Sequence, residues 1–151
     1  MESIRLNMEE EPREADIRKI LEGLLADHAA KGHVRSQHKL AVFLRNEKNQ
    51  VCGALIGCTY WEHLVIEKLW VDEILRGHGY GKKLLQAAED EAVRRGCRYA
   101  HTDTFTWQNL SFYLKSGYEE YAALKDFPPG HSLHYIVKNL IPDKGQDGRT
   151  H

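Results

Sequence analysis

The stretch LWVDEILRGHGYGKKLL at residues 69 to 85 decides the fold of this chain. Its apolar beginning is typical of a buried strand, and its last part begins an amphipathic helix. Between the two, Gly77, Gly79 and Gly81 allow positive φ angles and a close approach of the backbone to a ligand. The unpaired N–H groups and positive dipole end of the following helix point at the same place. The stretch therefore predicts an anion site, and a phosphate group is its natural ligand.

Two common nucleotide-binding loops do not fit this stretch. A P-loop with Gly81-Lys82 as its GK pair requires glycine at position 76 and serine or threonine at position 83, where the chain has Arg76 and Lys83. The dinucleotide-binding fingerprint requires a different glycine spacing and an acidic residue about 20 positions further on, where the chain has Arg98 and Tyr99. Neither nucleotide-binding loop is therefore predicted.

A different pattern matches in two separate places. The loop contains Arg-x-x-Gly-x-Gly, and residues 109 to 118, NLSFYLKSGY, fit N-x-x-x-Y-x-x-x-G-[FY] one helix and one strand later. At these two motifs the chain resembles the GNAT superfamily of acetyl-CoA-dependent N-acetyltransferases. The resemblance covers roughly residues 51 to 140 and, more loosely, the N-terminal helix. The matching residues are Arg76, Gly79, Gly81, Asn109, Tyr113, Gly117 and Tyr118.

The resemblance implies acetyl-CoA as the co-substrate and assigns contacts to it. The family's loop holds the CoA diphosphate through backbone N–H groups, helped here by the charges of Arg76 and Lys82. The backbone of Leu69 and Val71 would bond the pantetheine arm, and the Val71 N–H would polarise the thioester carbonyl. Asn109 either contacts pantetheine or caps its helix, and the two roles are compatible. The implied loop residues are Arg76, Gly77, His78, Gly79, Tyr80, Gly81 and Lys82.

Two residues are predicted to be catalytic. Tyr113 matches the family's tyrosine near the sulfur, where a phenol can donate a proton to the leaving thiolate; the alternative is a core residue on a short helix. Glu67 stands where some members carry the general base, and two-residue alternation places it on the face of Val65 and Leu69. Its alternative is a surface residue paired with a cation. Other candidates for the base are Asp72, Glu62 and His63.

Hydrophobic periodicity predicts an α/β fold with a mixed, mostly antiparallel central sheet flanked by helices. A short first strand is expected at residues 3 to 7 and an amphipathic helix at residues 14 to 31, and a hairpin follows. The resemblance implies that the sheet is splayed at the cofactor site, where the strand ending at Val71 leaves the strand at residues 99 to 104. We expect one domain over residues 1 to 141 and a disordered tail at residues 142 to 151.

Composition narrows the classes of function. A formal net charge of −1 over 151 residues argues against a general nucleic-acid binder, because phosphate contacts need an excess of Lys and Arg. The sequence shows no signal peptide and no apolar segment of about 18 residues, so we expect a cytoplasmic protein without a membrane partner. Cys52, Cys58 and Cys97 fit neither a disulfide set nor C-x-x-C spacing, and no metal site is predicted.

The resemblance therefore implies an N-acetyltransferase that transfers the acetyl group of acetyl-CoA to the primary amine of a small molecule. Two alternatives remain open: acetylation of protein or peptide amines, and a non-catalytic module that only binds acyl-CoA. Asp126 and His131, on a loop with two prolines, are candidates for the acceptor pocket. An exposed final strand would make a homodimer possible.

Overall fold

The computed structural model describes residues 2 to 142 of the chain. The predicted tail at residues 142 to 151 therefore lies, apart from Pro142, outside the described residues. The chain divides into two compact units, Met1–Arg35 and Ser36–His151, and each is described by itself. The expectation of a single domain over residues 1 to 141 stays a prediction.

The first unit contains one helix, α1, at Glu14–Ala30. Acidic residues in its first turn, Glu14 and Asp16, and His28 in its last turn complement the helix dipole. The predicted strand at residues 3 to 7 is wrong: these residues are exposed and take no regular structure. A run of this length without a ladder partner leaves its N–H and C=O groups to water.

In residues 36 to 142, its described part, the second unit contains a six-stranded sheet and two α-helices. Its strands stand in the order β1-β2-β3-β4-β6-β5, and every neighbouring pair is antiparallel except β3 and β4. The predicted mixed, mostly antiparallel sheet is thereby confirmed. The final strand is not exposed at an edge, because β6 lies between β4 and β5; the edge strands are β1 and β5. The elements are β1 His38–Arg45, β2 Val51–Tyr60, β3 His63–Val71, α2 Tyr80–Arg94, β4 Tyr99–Phe105, α3 Leu110–Lys115, β5 Glu119–Lys125 and β6 Ser132–Asn139.

Helix α2 covers one face of β1, β2 and β3. Its buried stripe consists of Leu84, Leu85, Ala88 and Ala92, the spacing that puts side chains on one side of a helix. These residues pack with Leu55, Leu64 and Ile66 of the sheet and with Tyr113 and Tyr118, which belong to α3 and the segment after it.

One carboxylate, Glu89, is buried on the same helix. Lys138 Nζ of β6 donates to both Glu89 oxygens at 2.7 and 3.0 Å. Burial raises the pKa of Glu89, and the bond and charge of Lys138 oppose that rise. The pair therefore joins α2 to β6 without leaving a buried charge unpaired.

A β-bulge in β3 changes which side chains face the core. Gly57 pairs with Ile66 and Ile56 pairs with Lys68, so Glu67 is the extra residue. Only glycine fits at position 57, because a Cβ there would lie 2.1 Å from the Val65 carbonyl oxygen. A bulge bends its strand and increases the local twist.

The two parallel strands separate directly before this bulge. The β3–β4 ladder consists of His63 with Tyr99, Leu64 with Ala100 and Val65 with His101, and it ends there. Beyond it the buried Thr102 hydroxyl donates to the Ile66 carbonyl at 2.7 Å. The bulge therefore accounts for the opening, and the predicted splay is confirmed. We call the side with Val71 and Phe105 the open end, and the side with His63 and Tyr99 the closed end.

Candidate active site

The loop before α2 presents backbone donors at the open end. Gly77 and Gly79 both have φ of +82°, and Gly79 is the N-cap of α2 without a side-chain cap hydrogen bond. The first i to i−4 bond of the helix joins the Lys83 N–H to the Gly79 carbonyl at 3.1 Å. The N–H groups of Tyr80, Gly81 and Lys82 precede that bond, and they and the positive end of the dipole are available to an anion.

Arg76 has a second role that the sequence pattern did not indicate. Its Nε donates to the Val71 carbonyl oxygen at 2.9 Å, while the residue remains exposed. Asp72 caps the short 3₁₀ turn at Glu73–Leu75 by accepting from the Ile74 N–H at 3.4 Å. These bonds fix the route of the chain from the end of β3 to the glycine loop.

A cavity of about 600 Å³ opens between this loop, the end of β3 and helix α3. The loop supplies one wall, and the splayed part of β3 supplies another. All the cofactor residues predicted from the sequence line it except His78, which is exposed. These lining residues are Leu69, Val71, Arg76, Gly77, Gly79, Tyr80, Gly81, Lys82 and Asn109.

The sequence analysis missed part of the wall. Phe112, Lys115 and Ser116 of the α3 region line the cavity together with Asn109. The spacing of these four positions puts them on one face of a helix, so helical periodicity starting from Asn109 could have found them. Lys115 adds a cation to the cavity lining. The remaining lining residues are Trp70 and Leu75.

Tyr113, the predicted proton donor, is buried in the core and does not line the cavity. Its ring contacts the rings of Phe112 and Tyr118 edge-on, each with centroids 5.2 Å away. Burial and, second, the charge of Asp103 raise the pKa of Tyr113 well above its ordinary value of 10. The phenol is therefore protonated at neutral pH. Its catalytic role stays a prediction.

Glu67, the predicted base, is exposed at the bulge and does not line the cavity either. The alternation used to place it fails across the bulge, because Leu64 and Ile66 pack in the same core as Leu69. A bulge adds one residue and so reverses the alternation. Val65 and Leu69 therefore do not share a face, and the role of Glu67 stays a prediction without that support.

Two of the other candidates for the base lie at the closed end. Glu62 lines a different cavity there, and the His63 ring shares a hydrogen bond with His101, with the two Nδ1 atoms 2.9 Å apart. His63 is six positions before Leu69 on an extended strand, which is roughly 20 Å. Asp72 lies at the open end but caps the turn.

Two features are absent from residues 2 to 142, the part of the chain that the structure describes. No helix in that range is long and apolar enough to cross a membrane. Nor does that range contain a group of three or more His, Cys, Asp or Glu side chains placed to hold a metal ion.

Comparison with known proteins supplies the family. The model of the acetyltransferase (GNAT) family matches residues 5–118. Blasticidin-S acetyltransferase of Streptomyces morookaense is 36% identical over 101 residues, which are 66% of this chain and 74% of that protein. The crystal structure of an acetyltransferase from Bacillus cereus superposes with a TM-score of 0.77 at 32% identity, covering 88% of this chain and 97% of the other.

A more distant structure was solved with a ligand. It is an aminoglycoside 6'-N-acetyltransferase complexed with coenzyme A, with a TM-score of 0.62 and 17% identity, covering 69% of this chain and 74% of that one. At this identity the likeness concerns the fold alone. Taken with the match of the family model over most of the chain, these comparisons show that the chain belongs to the GNAT family of acetyltransferases and is an acyltransferase.

Proposed function

We propose that the protein transfers the acetyl group of acetyl-CoA to the primary amine of a small molecule. The observation that carries this proposal is the cavity at the open end. It joins the unpaired N–H groups at the start of α2 to the splayed edge of β3, and Lys82 and Lys115 are among its lining residues. A diphosphate and an extended amide-bearing arm require those two features side by side.

The binding of acetyl-CoA divides into two parts. The diphosphate accepts hydrogen bonds from the N–H groups of Tyr80, Gly81 and Lys82, and the helix dipole and lysine side chains offset its charge. The pantetheine arm lies along residues 66 to 71 of β3, which have no ladder partner on the side of β4. Leu69, Val71 and Asn109 contact the arm in this arrangement.

The reaction needs a neutral amine and a proton for the leaving thiolate. The amine nitrogen attacks the thioester carbonyl carbon, the C–S bond breaks, and CoA leaves as a thiolate that takes a proton. Tyr113 is the proposed donor, because its phenol is protonated at neutral pH and the leaving thiolate needs a proton. Glu67, directly or through water, is the proposed acceptor of the proton lost by the amine.

A small-molecule acceptor is favoured over a protein by one relative. The name of blasticidin-S acetyltransferase describes the acetylation of a small molecule, and that protein shares more than a third of its aligned residues with this chain.

The competing function is a module that binds acyl-CoA without turnover. One observation favours it: neither Tyr113 nor Glu67 lines the cavity. Calorimetric titration with CoA and a thiol-release assay with acetyl-CoA separate the two functions. The assay should cover polyamines, amino acids, aminoglycosides and peptide N-termini. Thiol release with a small amine supports the proposal, and CoA binding without release across the panel contradicts it.

A matched pair of variants tests the proton donor. Tyr113→Phe removes only the hydroxyl from a buried ring, and Tyr121→Phe makes the same change on the exposed strand β5. We expect Tyr113→Phe to lower kcat about 100-fold or more while CoA affinity is kept, as is typical of losing a general acid. Tyr121→Phe should act as the wild type. An unchanged kcat in Tyr113→Phe would show that another group donates the proton.

A further inference from the structure

Four aromatic side chains form a cluster beyond the end of β4. The Phe105 and Trp107 rings stack with centroids 4.8 Å apart and an angle of 6° between planes. His131 contacts Trp107 edge-on at 4.8 Å, and Phe127 lies 5.8 Å from Phe105. About half of the surface of both Trp107 and Phe127 remains exposed. We call Phe105, Trp107, Phe127 and His131 the aromatic cluster.

Hydrogen bonds hold this cluster in place before any ligand arrives. Thr106 donates through its N–H and its hydroxyl to the Ser132 carbonyl, both at 3.1 Å, and the Ser132 N–H donates to the Thr106 hydroxyl at 3.2 Å. The loop closes on itself, because the Phe127 N–H donates to the His131 carbonyl at 3.2 Å. The rings therefore lose little conformational freedom on binding, which favours affinity.

A carboxylate stands on the same strand beside the cluster. Asp103 and Phe105 are two residues apart in an uninterrupted part of β4, so their side chains share one face of the sheet. Asp103 is exposed, and no ion pair or side-chain hydrogen bond joins its carboxylate to another of residues 2 to 142. Its charge nevertheless raises the pKa of Tyr113 and opposes the lowering of the pKa of His101.

The cluster also adjoins the cofactor cavity along the chain. Trp107 is two positions before Asn109, which lines that cavity. Phe105 is at the open end of β4, where the strand has left β3. Along this segment the Asp103 carboxylate comes first, and the stacked rings of Phe105 and Trp107 follow. Asn109, in the wall of the cavity, comes last.

We propose that Asp103 and the aromatic cluster form the acceptor subsite, and that its substrate is an amine carried on a flat conjugated ring. This inference rests on the proposed acetyl transfer and specifies its substrate class. The ammonium group of the incoming amine pairs with Asp103 and becomes the neutral nucleophile when it loses a proton to Glu67, directly or through water, and the ring lies on the exposed part of Trp107. Trp107 is a specificity residue in this arrangement, because an aliphatic amine offers no surface to stack on it.

The test compares two monoamines, tryptamine with a flat ring and n-hexylamine without one. The full-length protein is saturated with CoA and titrated with each amine by calorimetry, and thiol release from acetyl-CoA is measured in parallel. We expect tryptamine to bind more tightly than n-hexylamine. Trp107→Ala should weaken tryptamine about tenfold and leave n-hexylamine unchanged, while Trp107→Phe should keep most of the preference. Trp61→Ala, at the closed end, is the control and should change neither affinity.

Asp103→Asn tests the charge separately and should weaken both amines while the affinity for CoA is kept. The inference is overturned if Trp107→Ala affects both amines equally or neither, or if Asp103→Asn leaves both unchanged. Its failure is distinguishable from that of the proposed function. Thiol release with n-hexylamine but no preference for tryptamine overturns the inference alone. Trp107-dependent binding of tryptamine without any thiol release supports the subsite and contradicts the transfer.

Discussion

The open end and the closed end lie at opposite ends of helix α2, and they differ in whether their backbone polar groups are hydrogen-bonded. At the open end, α2 begins at a glycine without a side-chain cap, and β3 and β4 are separated. At the closed end, β3 and β4 are hydrogen-bonded, and Arg95 donates to the Lys39 carbonyl at 3.0 Å and to the Thr59 hydroxyl at 3.2 Å. Free donors mark the end that we propose binds CoA, and satisfied acceptors mark the end that holds the sheet together.

Cavity size does not make this distinction. The closed end has a cavity of about 690 Å³, compared with about 600 Å³ at the open end. Three of its charged lining residues are already paired with each other: Glu91 accepts from Arg94 and Arg95, and hydrogen bonds from these two residues lower the pKa of Glu91 to about 2. A ligand there would have to displace existing partners, whereas a diphosphate at the open end meets unused ones.

The largest effect on stability should come from a substitution at Gly57, which lies at the boundary between the two ends, beside the bulge in β3. Gly57→Ala puts a Cβ 2.1 Å from the Val65 carbonyl oxygen, so β2 and β3 must move apart at the last residue before the bulge. We expect the free energy of unfolding to fall by about 3 kcal/mol or more, as in severe overpacking. Denaturant unfolding measures it. Gly53→Ala is the matched control and should cost less, because its shortest contact, 2.8 Å, is to the movable end of the Leu44 side chain. Equal costs would contradict the boundary role of Gly57.

A negative charge at the start of α2 should oppose the binding of a diphosphate at the open end. Gly81→Asp is sterically tolerated, since a Cβ there meets only the Phe112 ring, at 3.6 Å. An acidic residue in the first helical turn favours the helix but repels a diphosphate. We expect CoA to bind at least about 100-fold more weakly, roughly 2.7 kcal/mol, with no fall in Tm.

The control for that variant is Ala87→Asp, which adds the same charge to an exposed position of α2 away from the cavity. It should keep the wild-type affinity for CoA in calorimetry. Wild-type affinity in Gly81→Asp would place the diphosphate elsewhere.

A substitution at the closed end should lower the free energy of unfolding and leave the binding of CoA unchanged. Arg95→Met removes the bonds to the Lys39 carbonyl, the Thr59 hydroxyl and Glu91. We expect a loss of about 1 to 2 kcal/mol in the free energy of unfolding and an unchanged affinity for CoA. Arg94→Met, whose side chain is bonded only to Glu91, should cost less. Weaker CoA binding in Arg95→Met would show that the two ends are coupled.

The smallest expected effect is the dependence of the free energy of unfolding on pH. Burial lowers the pKa of both His63 and His101; the charge of His63 lowers that of His101 further, while Glu62 and Asp103 act in the opposite direction. Above an unfolded pKa of about 6.5 both rings are neutral in either state. As the pH falls below that value, the unfolded chain binds protons that the folded chain resists, so stability falls.

The measurement is the free energy of unfolding between pH 7.5 and 5.5. The decline should be shallower in His101→Asn than in the wild type, because one resisted proton is removed. His33→Asn, at an exposed position, should keep the wild-type slope. A wild-type slope in His101→Asn would mean that the histidine pair does not sense pH.

The loop was predictable because its information is local. Glycine spacing, the apolar strand before it and the amphipathic helix after it occupy one short segment, and the cofactor residues drawn from that segment line one cavity with the exception of His78. The same holds for Asn109, which a second local motif identified. The strand at residues 3 to 7 was wrong because a short apolar run says nothing about whether a partner strand exists.

Glu67 shows the other limit. Alternation along β3 is a local rule, but the bulge that reverses it is produced by pairing with β2, at a glycine ten residues earlier in the chain. His131 was a candidate for the acceptor pocket, but Asp103 and the other three rings of the aromatic cluster were hidden, since Phe105 and Phe127 are brought together by the pairing of β4 with β6.

The sequence by itself determined the glycine loop before α2, the order of helices and strands after residue 35, and the family, because each of these depends on neighbours along the chain. Only the tertiary structure decided that β3 and β4 separate after Val65, that Tyr113 is buried in the core, and that a carboxylate and a ring stack meet at the open end. The physical reason is that pairing register and burial depend on contacts between distant segments, and those contacts leave no periodic trace in either segment alone.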